Sequence, residues 1–543
     1  MGIGPIVDTA RQGINAARAG MQLVSKNIAS SSVDGYSRQD ILFEAPLGNG
    51  VRPWVIRSQV DEFLESRLTT ETQAQGKLTA QRDLLAEVTA VFGATDSGLN
   101  TELSQFFAAA SALATTPEGS VERTQLLFDA QALTEEVQRE YGQLQTIASQ
   151  IDRNLASTVT RANALAEEIA SLNTSIGATG DSSTAGELED YRRVLVNELS
   201  GLIDINTFKD GNGGVVAFVG GGFPLVEGGN FGQLQLTGGI DGYRPHAGVS
   251  ISINGGIATD LTGRITGGEI AGMLDVRDNV VSDAMDTLDR VSATLTYNVN
   301  QLHSAGYGLD GSTGNDFFSG MTATSVANNS NQGGVGAAVT ISNMAAVTLD
   351  DYEIVFTSPT QFDVLNLTQG TTELSGVGYT SPSAFAVDGI GITLSNVSGA
   401  PQAGDKFLIS TTRDHASVMG VGITDIQKIA AAGSVGAGPG DNSNMLQISA
   451  LESANLTQNG TLTLSEKTSE KIAQIGFKQQ AVEQAFDAQS AVMSGLELKR
   501  AEASGVSLDE EAARLIRYQH AFEANARLIR VADEMVQTII SMV

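Results

Sequence analysis

The chain has 543 residues, a formal net charge of −30 and no cysteine. That charge argues against nucleic acid or an anionic membrane as partner, and without thiols there are no disulfides or thiolate metal sites. Four scattered histidines disfavour a histidine metal cluster, no apolar run reaches the roughly 20 residues of a membrane-spanning helix, and the N-terminus lacks the regions of a signal peptide.

The first 32 residues predict an amphipathic helix. Val7, Ile14, Met21 and Ile28 recur every seven residues, and Ala10, Ala17 and Val24 fill the second seam position of a heptad. Arg11, Gln12, Arg18, Gln22 and Lys26 are left to face outward. The last stretch, 506–543, repeats the pattern. Leu508, Leu515, Phe522, Ile529, Val536 and Val543 share one seam position, and the small residues Ala512 and Ala526 sit four further on. Ser507 is placed as N-cap, with Glu510 closing a capping box. The matching seams predict that the terminal helices pair as a coiled coil. Leu23, Leu528 and Ile540 remain on the flanks for further copies of the pair.

Between these ends the texture changes in order. Residues 33–59 read as a linker whose turn is Asp34-Gly35. Residues 60–318 read as a helical rod domain, with one run from Val121 to Ile176 free of proline and spaced for helix. A loop is expected at Asp181 to Ala185. The portion 203–262 is hairpin-like, with short β-rich runs between Gly-Gly and Asn-Gly-Gly turns. Helix returns from Glu269 to about His303. Residues 319–414 hold one cationic side chain apart from Arg413, Lys406, and alternate strand-like runs with Gly, Ser, Pro and Asp, which predicts an inserted, acidic, outward-facing β domain. The return segment, 415–505, is read as helical from Ala416 onward. The fold class is therefore α+β multidomain, with terminal helices outermost in sequence, a helical bundle next and β modules innermost.

Several runs resemble a known family. Asn27-Ile-Ala, then Gly35-Tyr36-Ser-Arg38-Gln39, is similar to the signature after the first helix of bacterial flagellar rod, hook and hook-associated proteins. Ser30, Ser32, Val33 and Asp34 depart from the usual Asn, Asn, Thr and Pro. Ser504-Gly-Val-Ser-Leu-Asp-Glu-Glu, Tyr518-Gln519 and Ala532-Asp533-Glu-Met535 resemble the closing signature of the same axial proteins. The stretches Phe106–Arg123, Leu165–Asn173, Asn300–Phe318, Asp350–Glu353, Gly404–Phe407 and Gly440–Asn444 narrow the resemblance to the hook-associated protein 1 family. Hook and rod proteins lack the first and third of these.

The catalytic inventory is thin. No Gly-x-Ser-x-Gly elbow surrounds a serine, and His303, before Ser304 and a Gly-rich loop, reads as a helix-end histidine held by backbone groups. Gly211 to Gly214 and Gly220 to Gly222 lack the Lys-Ser/Thr of a phosphate loop. Asp310 to Asp316 lacks the ligand order and distal Glu of a calcium loop. No catalytic, metal or cofactor site is assigned.

The resemblance implies a self-assembling structural subunit of the junction between flagellar hook and filament, exported without a cleaved signal by the flagellar type III apparatus. Its expected partners are further copies in a ring or tube, the hook protein, the next hook-associated protein toward the filament, and an export chaperone. Its expected assembly interface is the two seams, Val7 to Ile28 and Leu508 to Ile540, which are expected to stay unpaired until assembly. Two alternatives stand beside it: a hook or distal-rod protein, and a secreted hydrolase or carbohydrate-binding protein acting through its β modules.

Overall fold

The computed structural model describes residues 3–33, 35–44, 52–93, 98–179, 182–211, 213–238, 246–319, 321–457 and 460–541. Helix α1 (Ile3–Ala29) leads into a two-stranded antiparallel hairpin, β1 (Gln39–Glu44) and β2 (Arg52–Ser58). Sequence reading took 33–59 as linker. Its alternation in Gln-Asp-Ile-Leu-Phe-Glu is too short to stand out, and the hairpin is fixed by packing on α1 and the rod. Asp34 of the expected turn lies outside the described residues. Gly35 has a φ of +78°, and a Cβ there would lie 2.2 Å from Val194 Cγ2, so only glycine fits.

The rod begins with α2 (Glu62–Phe92), whose N-cap Asp61 accepts from the Phe63 and Leu64 amides. It continues with α3 (Leu99–Thr115) and α4 (Ser120–Ala178). Helix α4 has 59 residues, which at 1.5 Å each span about 88 Å. It carries the core along its whole length, from Leu126 through Leu144 and Ile151 to Ile169. Helix α5 (Ser182–Leu202) starts at Ser182 where a loop to Ala185 was expected; its polar first turn hides the helical signal.

Two antiparallel sheets follow. The first has the order β3 (Ile205–Lys209), β4 (Val215–Val219), β5 (Phe223–Glu227), β6 (Asn230–Phe231). The second has the order β7 (Gln233–Gly238), β8 (Ala247–Ser252), β9 (Thr259–Asp260). Helix α4 holds both by side-chain amides that act as strand partners. Asn173 Nδ2 donates to the Val215 and Gly228 carbonyls while its Oδ1 accepts from the Val215 amide, and Asn163 brackets Leu234 in the same way. Helix α6 (Gly268–Asp275) then runs through a π-helical turn, Val276–Val281, into α7 (Ser282–Ala305).

The inserted β domain packs a five-stranded sheet on a three-stranded one. The first has the order β10 (Thr324–Ala327), β17 (Lys406–Ser410), β12 (Tyr352–Ser358), β13 (Gln361–Asn366), β14 (Thr371–Gly378). The second has the order β11 (Val335–Ile341), β16 (Ile390–Asn396), β15 (Ser383–Val387). Tyr352, Ile354, Phe356, Phe362, Phe407, Ile392 and Leu394 form its core, separate from that of the rod. Asp289 of α7 clasps its exit, accepting from the amides of Asp414 and Ala416 at 2.9 and 3.0 Å.

The return segment is less helical than expected. After α8 (His415–Val418) the chain is largely irregular until α9 (Ser443–Ala450). Its path there is set by buried polar contacts, which leave no periodic signal. Helix α10 (Leu464–Ser504) opens on a full capping box between Thr463 and Glu466 and lies along α2, as its Ile475, Val482 and Leu496 stripe requires. The chain closes in α11 (Leu508–Ser541), packed on α1.

Candidate functional site: the paired terminal helices

Helices α1 and α11 run antiparallel. Asn27 meets Glu511, Gly20 meets the ring of Tyr518, and Gly13 meets the side chain of Asn525. On α1 the contact line is Ala10, Gly13, Ala17, Gly20, Val24 and Asn27. Ala10, Ala17 and Val24 are buried as expected, whereas Val7, Ile14, Met21 and Ile28 are only half-buried on its flank. Leu23, expected on the outer flank, is buried too.

On α11 the correction is larger. The second seam position falls on Glu511, Tyr518, Asn525 and Ala532, not on Ala512 and Ala526: Ala512 is exposed and Ala526 half-buried. Leu515, Ile529 and Val536 are half-buried, while Leu508, Phe522 and Ile540 are exposed, as is Asp533. Val543 lies outside the described residues. The cause is steric. Glycines at 13 and 20 open two notches in α1, and α11 turns its larger side chains into them, rotating its small residues away. Against the expectation of unpaired termini, both helices are formed and packed on each other within one chain.

A buried polar knot ties the pair to the rod. Asn27, 1% exposed, donates from Nδ2 to the Gln39 carbonyl at 2.9 Å and to Glu511 Oε2 at 3.0 Å; its Oδ1 accepts from Tyr36 Oη at 2.7 Å and the Gln39 amide at 3.1 Å. Arg38 pairs with two of the three acids in the first turn of α11, Nη1 to Glu510 at 3.0 Å and Nε to Glu511 at 3.0 Å, and its amide donates to the Ser504 carbonyl. Glu510, expected to cap back to Ser507, is thus committed to Arg38. Arg514 pairs with Asp40. On the rod side, Asp190 of α5 accepts from the Ser37 amide, and Arg193 bridges Asp190 and Ser37 Oγ. Burial pushes the Asp190 carboxyl up, and burial with the nearby carboxylates of Asp190, Glu187 and Glu511 pushes the Tyr36 phenol up. Tyr518, its phenol also raised by burial, packs edge-on to Phe43 at 6.3 Å.

The signature residues Asn27, Tyr36 and Arg38 therefore meet in this knot, Gly35 makes the tight turn against Val194 beside it, and Tyr518 sits in the seam. Sequence reading missed Gly13, Gly20, Asn525, Asp190 and Arg514, and met Glu511 only as the end of the closing signature run. One signal was available: two glycines seven apart inside a helix, each costing about 1 kcal/mol relative to alanine.

Two of the distant stretches also converge. Phe106 and Phe107 cluster with Phe317 and Phe318 at 5.0–5.8 Å between the rings of successive pairs. Asn300 Oδ1 holds the Phe317 and Phe318 amides, and buried Arg123 donates to the carbonyls of Pro117, Ile426 and Ile429. His303, wholly buried, has both ring nitrogens engaged by backbone, Nδ1 with the Asn315 carbonyl and Nε2 with the Ala430 amide. Burial lowers its pKa to about 4, and that of His415 likewise. These groups stitch the rod together.

Comparison with known proteins fits this architecture. The helical-domain model of the flagellar hook-associated protein FlgK matches residues 85–318, and the C-terminal model of the flagellar basal-body rod FlgEFG proteins matches residues 499–542. Flagellar hook-associated protein 1 of Escherichia coli (strain K12) is 26% identical, with 99% of both chains covered. Its namesake in Bacillus subtilis (strain 168) is 21% identical, covering 98% of this chain and 97% of that one. The solved flagellar hook junction protein FlgK from Burkholderia pseudomallei shares the fold with a TM-score of 0.71 at 18% identity, covering 81% of this chain and all of that one. With end-to-end likeness and domain matches in the rod and at the C-terminus, the chain is similar along its whole length to the proteins of the flagellar hook-associated protein 1 family.

Proposed function

We propose that the chain is a structural subunit of the junction between flagellar hook and filament, and that it builds this junction by packing its terminal helix pair against the pairs of neighbouring copies. One observation carries the assembly part. The apolar stripe of α11 is wider than α1 can cover. At about 100° per residue, Leu528, Val531 and Met535 lie on one side of the contact line, Phe522 and Ile540 lie on the other, and Ile539 continues the line itself. All six are 36–68% exposed. A large apolar side chain left in water forfeits roughly 1.5–3 kcal/mol that a neighbour's burial would recover. Two flanks ask for two neighbours, which is the geometry of a ring or tube rather than a dimer.

In this reading the terminal pairs line the inside, the rod forms the wall, and the acidic β domain faces outward. The hook protein lies on one side and the next hook-associated protein on the other. The subunit reaches its place outside the cell through the flagellar type III apparatus, with an export chaperone covering the apolar flanks beforehand. The role is structural.

The test is a chain lacking residues before Ser30 and after Gly505, alongside the full chain carrying Phe522→Asp. Both are expected to stay folded and soluble while failing to decorate purified hooks in electron micrographs. Normal junctions built by either would end the proposal.

A further inference from the structure

The apolar heptads of α1 and α11 do not define how the two helices align. Sliding one helix by seven residues sets Val7, Ile14 and Met21 against a fresh set of apolar partners with nothing lost. Three other contacts do define it. Asn27–Glu511, Gly20–Tyr518 and Gly13–Asn525 step by seven along both helices in opposite directions, so that the two residue numbers sum to 538 each time. At Gly20 a Cβ would lie 2.6 Å from Tyr518 Cε1, and at Gly13 it would lie 2.5 Å from Asn525 Oδ1. A side chain at Gly20 would collide with the Tyr518 ring, and one at Gly13 would have to displace the Asn525 amide.

We propose that these three pairs are a register and specificity lock: α1 accepts only a helix that offers Glu, Tyr and Asn at seven-residue intervals in antiparallel order. The inference rests on the terminal pair being the assembly element, and it adds which helix may pair and in what alignment.

A slip of one heptad in either direction breaks the set. In one direction Gly20 would receive Asn525, but Asn27 would face the Tyr518 ring and lose its carboxylate. In the other, Gly13 would receive Tyr518, but Glu511 would be buried against Gly20 with no donor. The glycine notches alone tolerate a slip, because either can take a large side chain. The Asn27–Glu511 hydrogen bond, with both groups at most 1% exposed, supplies the missing asymmetry. A polar pair at one seam position commonly fixes coiled-coil register in this way, at a cost in stability. A foreign helix with an apolar heptad but leucine or alanine at these places leaves the notches empty and Asn27 without its acid.

The chain has no cysteine, so introduced thiols report alignment without background. Val7 and Ala532 line one concavity. Oxidative cross-linking of Val7→Cys with Ala532→Cys therefore reads the native register, and Val7→Cys with Ile539→Cys reads a slip of one heptad. Both are measured on the isolated full chain, so failure of hook binding leaves the readout intact. The native cross-link is expected to dominate in the otherwise unaltered chain. Adding Gly20→Ala and Gly13→Ala should slow it about tenfold, a coupling of about 1.4 kcal/mol. In a chain already carrying Tyr518→Ala and Asn525→Ala, the same two glycine substitutions should cost nothing further. The lock is overturned by any of three results: no native cross-link in the unaltered chain, a native rate unchanged by the glycine substitutions, or an equal loss when Tyr518 and Asn525 are already removed.

Discussion

Replacing Asn27 by alanine tests how the terminal pair is held to the rod. The amide makes four hydrogen bonds, two to the backbone of Gln39, one from Tyr36 and one to the wholly buried Glu511 carboxylate. Alanine removes them without filling the space, stranding the Gln39 amide and carbonyl and weakening the solvation of Glu511. A stranded buried group costs about 1–3 kcal/mol, and more when charged. Water entering the knot offsets part of this, so a loss of about 3–4 kcal/mol is expected. It should appear locally, because the rod core of α4 does not touch Asn27. Hydrogen exchange resolves the two regions. At about 1.4 kcal/mol per decade, amides of α1 and α11 should exchange roughly 140- to 700-fold faster, while those of Leu144 to Leu155 in α4 keep their protection. Exchange in α1 and α11 within about threefold of the parent chain would refute the knot as the anchor. So would an equal acceleration in α4.

Three further perturbations concern the rod. Glu140 on α4 is 1% exposed, and burial, with the Glu136 carboxylate adding to it, pushes its pKa up to about 7. Its contribution to stability is present in full below the ordinary glutamate range and is lost as pH rises through about 7. Glu140→Gln should therefore raise the unfolding free energy measured in urea at pH 8 by on the order of 2–3 kcal/mol and leave it little changed at pH 4.5. An identical pH profile in the variant would count against the buried charge. On the acid side, His303 and His415 stay neutral when folded, so the stability they lend is present above pH 6.5 and is lost as pH falls toward 4. Arg123→Met strands three carbonyls and should cost about 3 kcal/mol, with faster proteolysis between residues 419 and 442 as its first sign. Unaltered cleavage there would show that Arg123 does not hold that segment.

Much of the architecture could be read from residue order. Periodicity is a local property, and it located α1, α4, α10 and α11 to within a few residues and read α6, the π-helical turn and α7 as one continuous helix. Short or polar elements escaped it. The hairpin of Gln39–Glu44 and Arg52–Ser58 has too few alternations to register. Ser182 begins α5 in a polar turn, and residues 419–442 are routed by Arg123 and His303, whose partners there lie far away in sequence.

The terminal pair divides the two kinds of information most sharply. That two heptad helices exist, and that each needs a partner, followed from spacing alone. Which residues form the contact did not. The apolar stripe of α11 is so wide that hydrophobicity leaves its rotation free, and the choice falls to two glycine notches and to an Asn27–Glu511 hydrogen bond between residues 484 apart in the chain. A heptad repeat determines that helices associate; only side chains brought together by the fold, where volume and hydrogen bonding must match at each position, determine how they align.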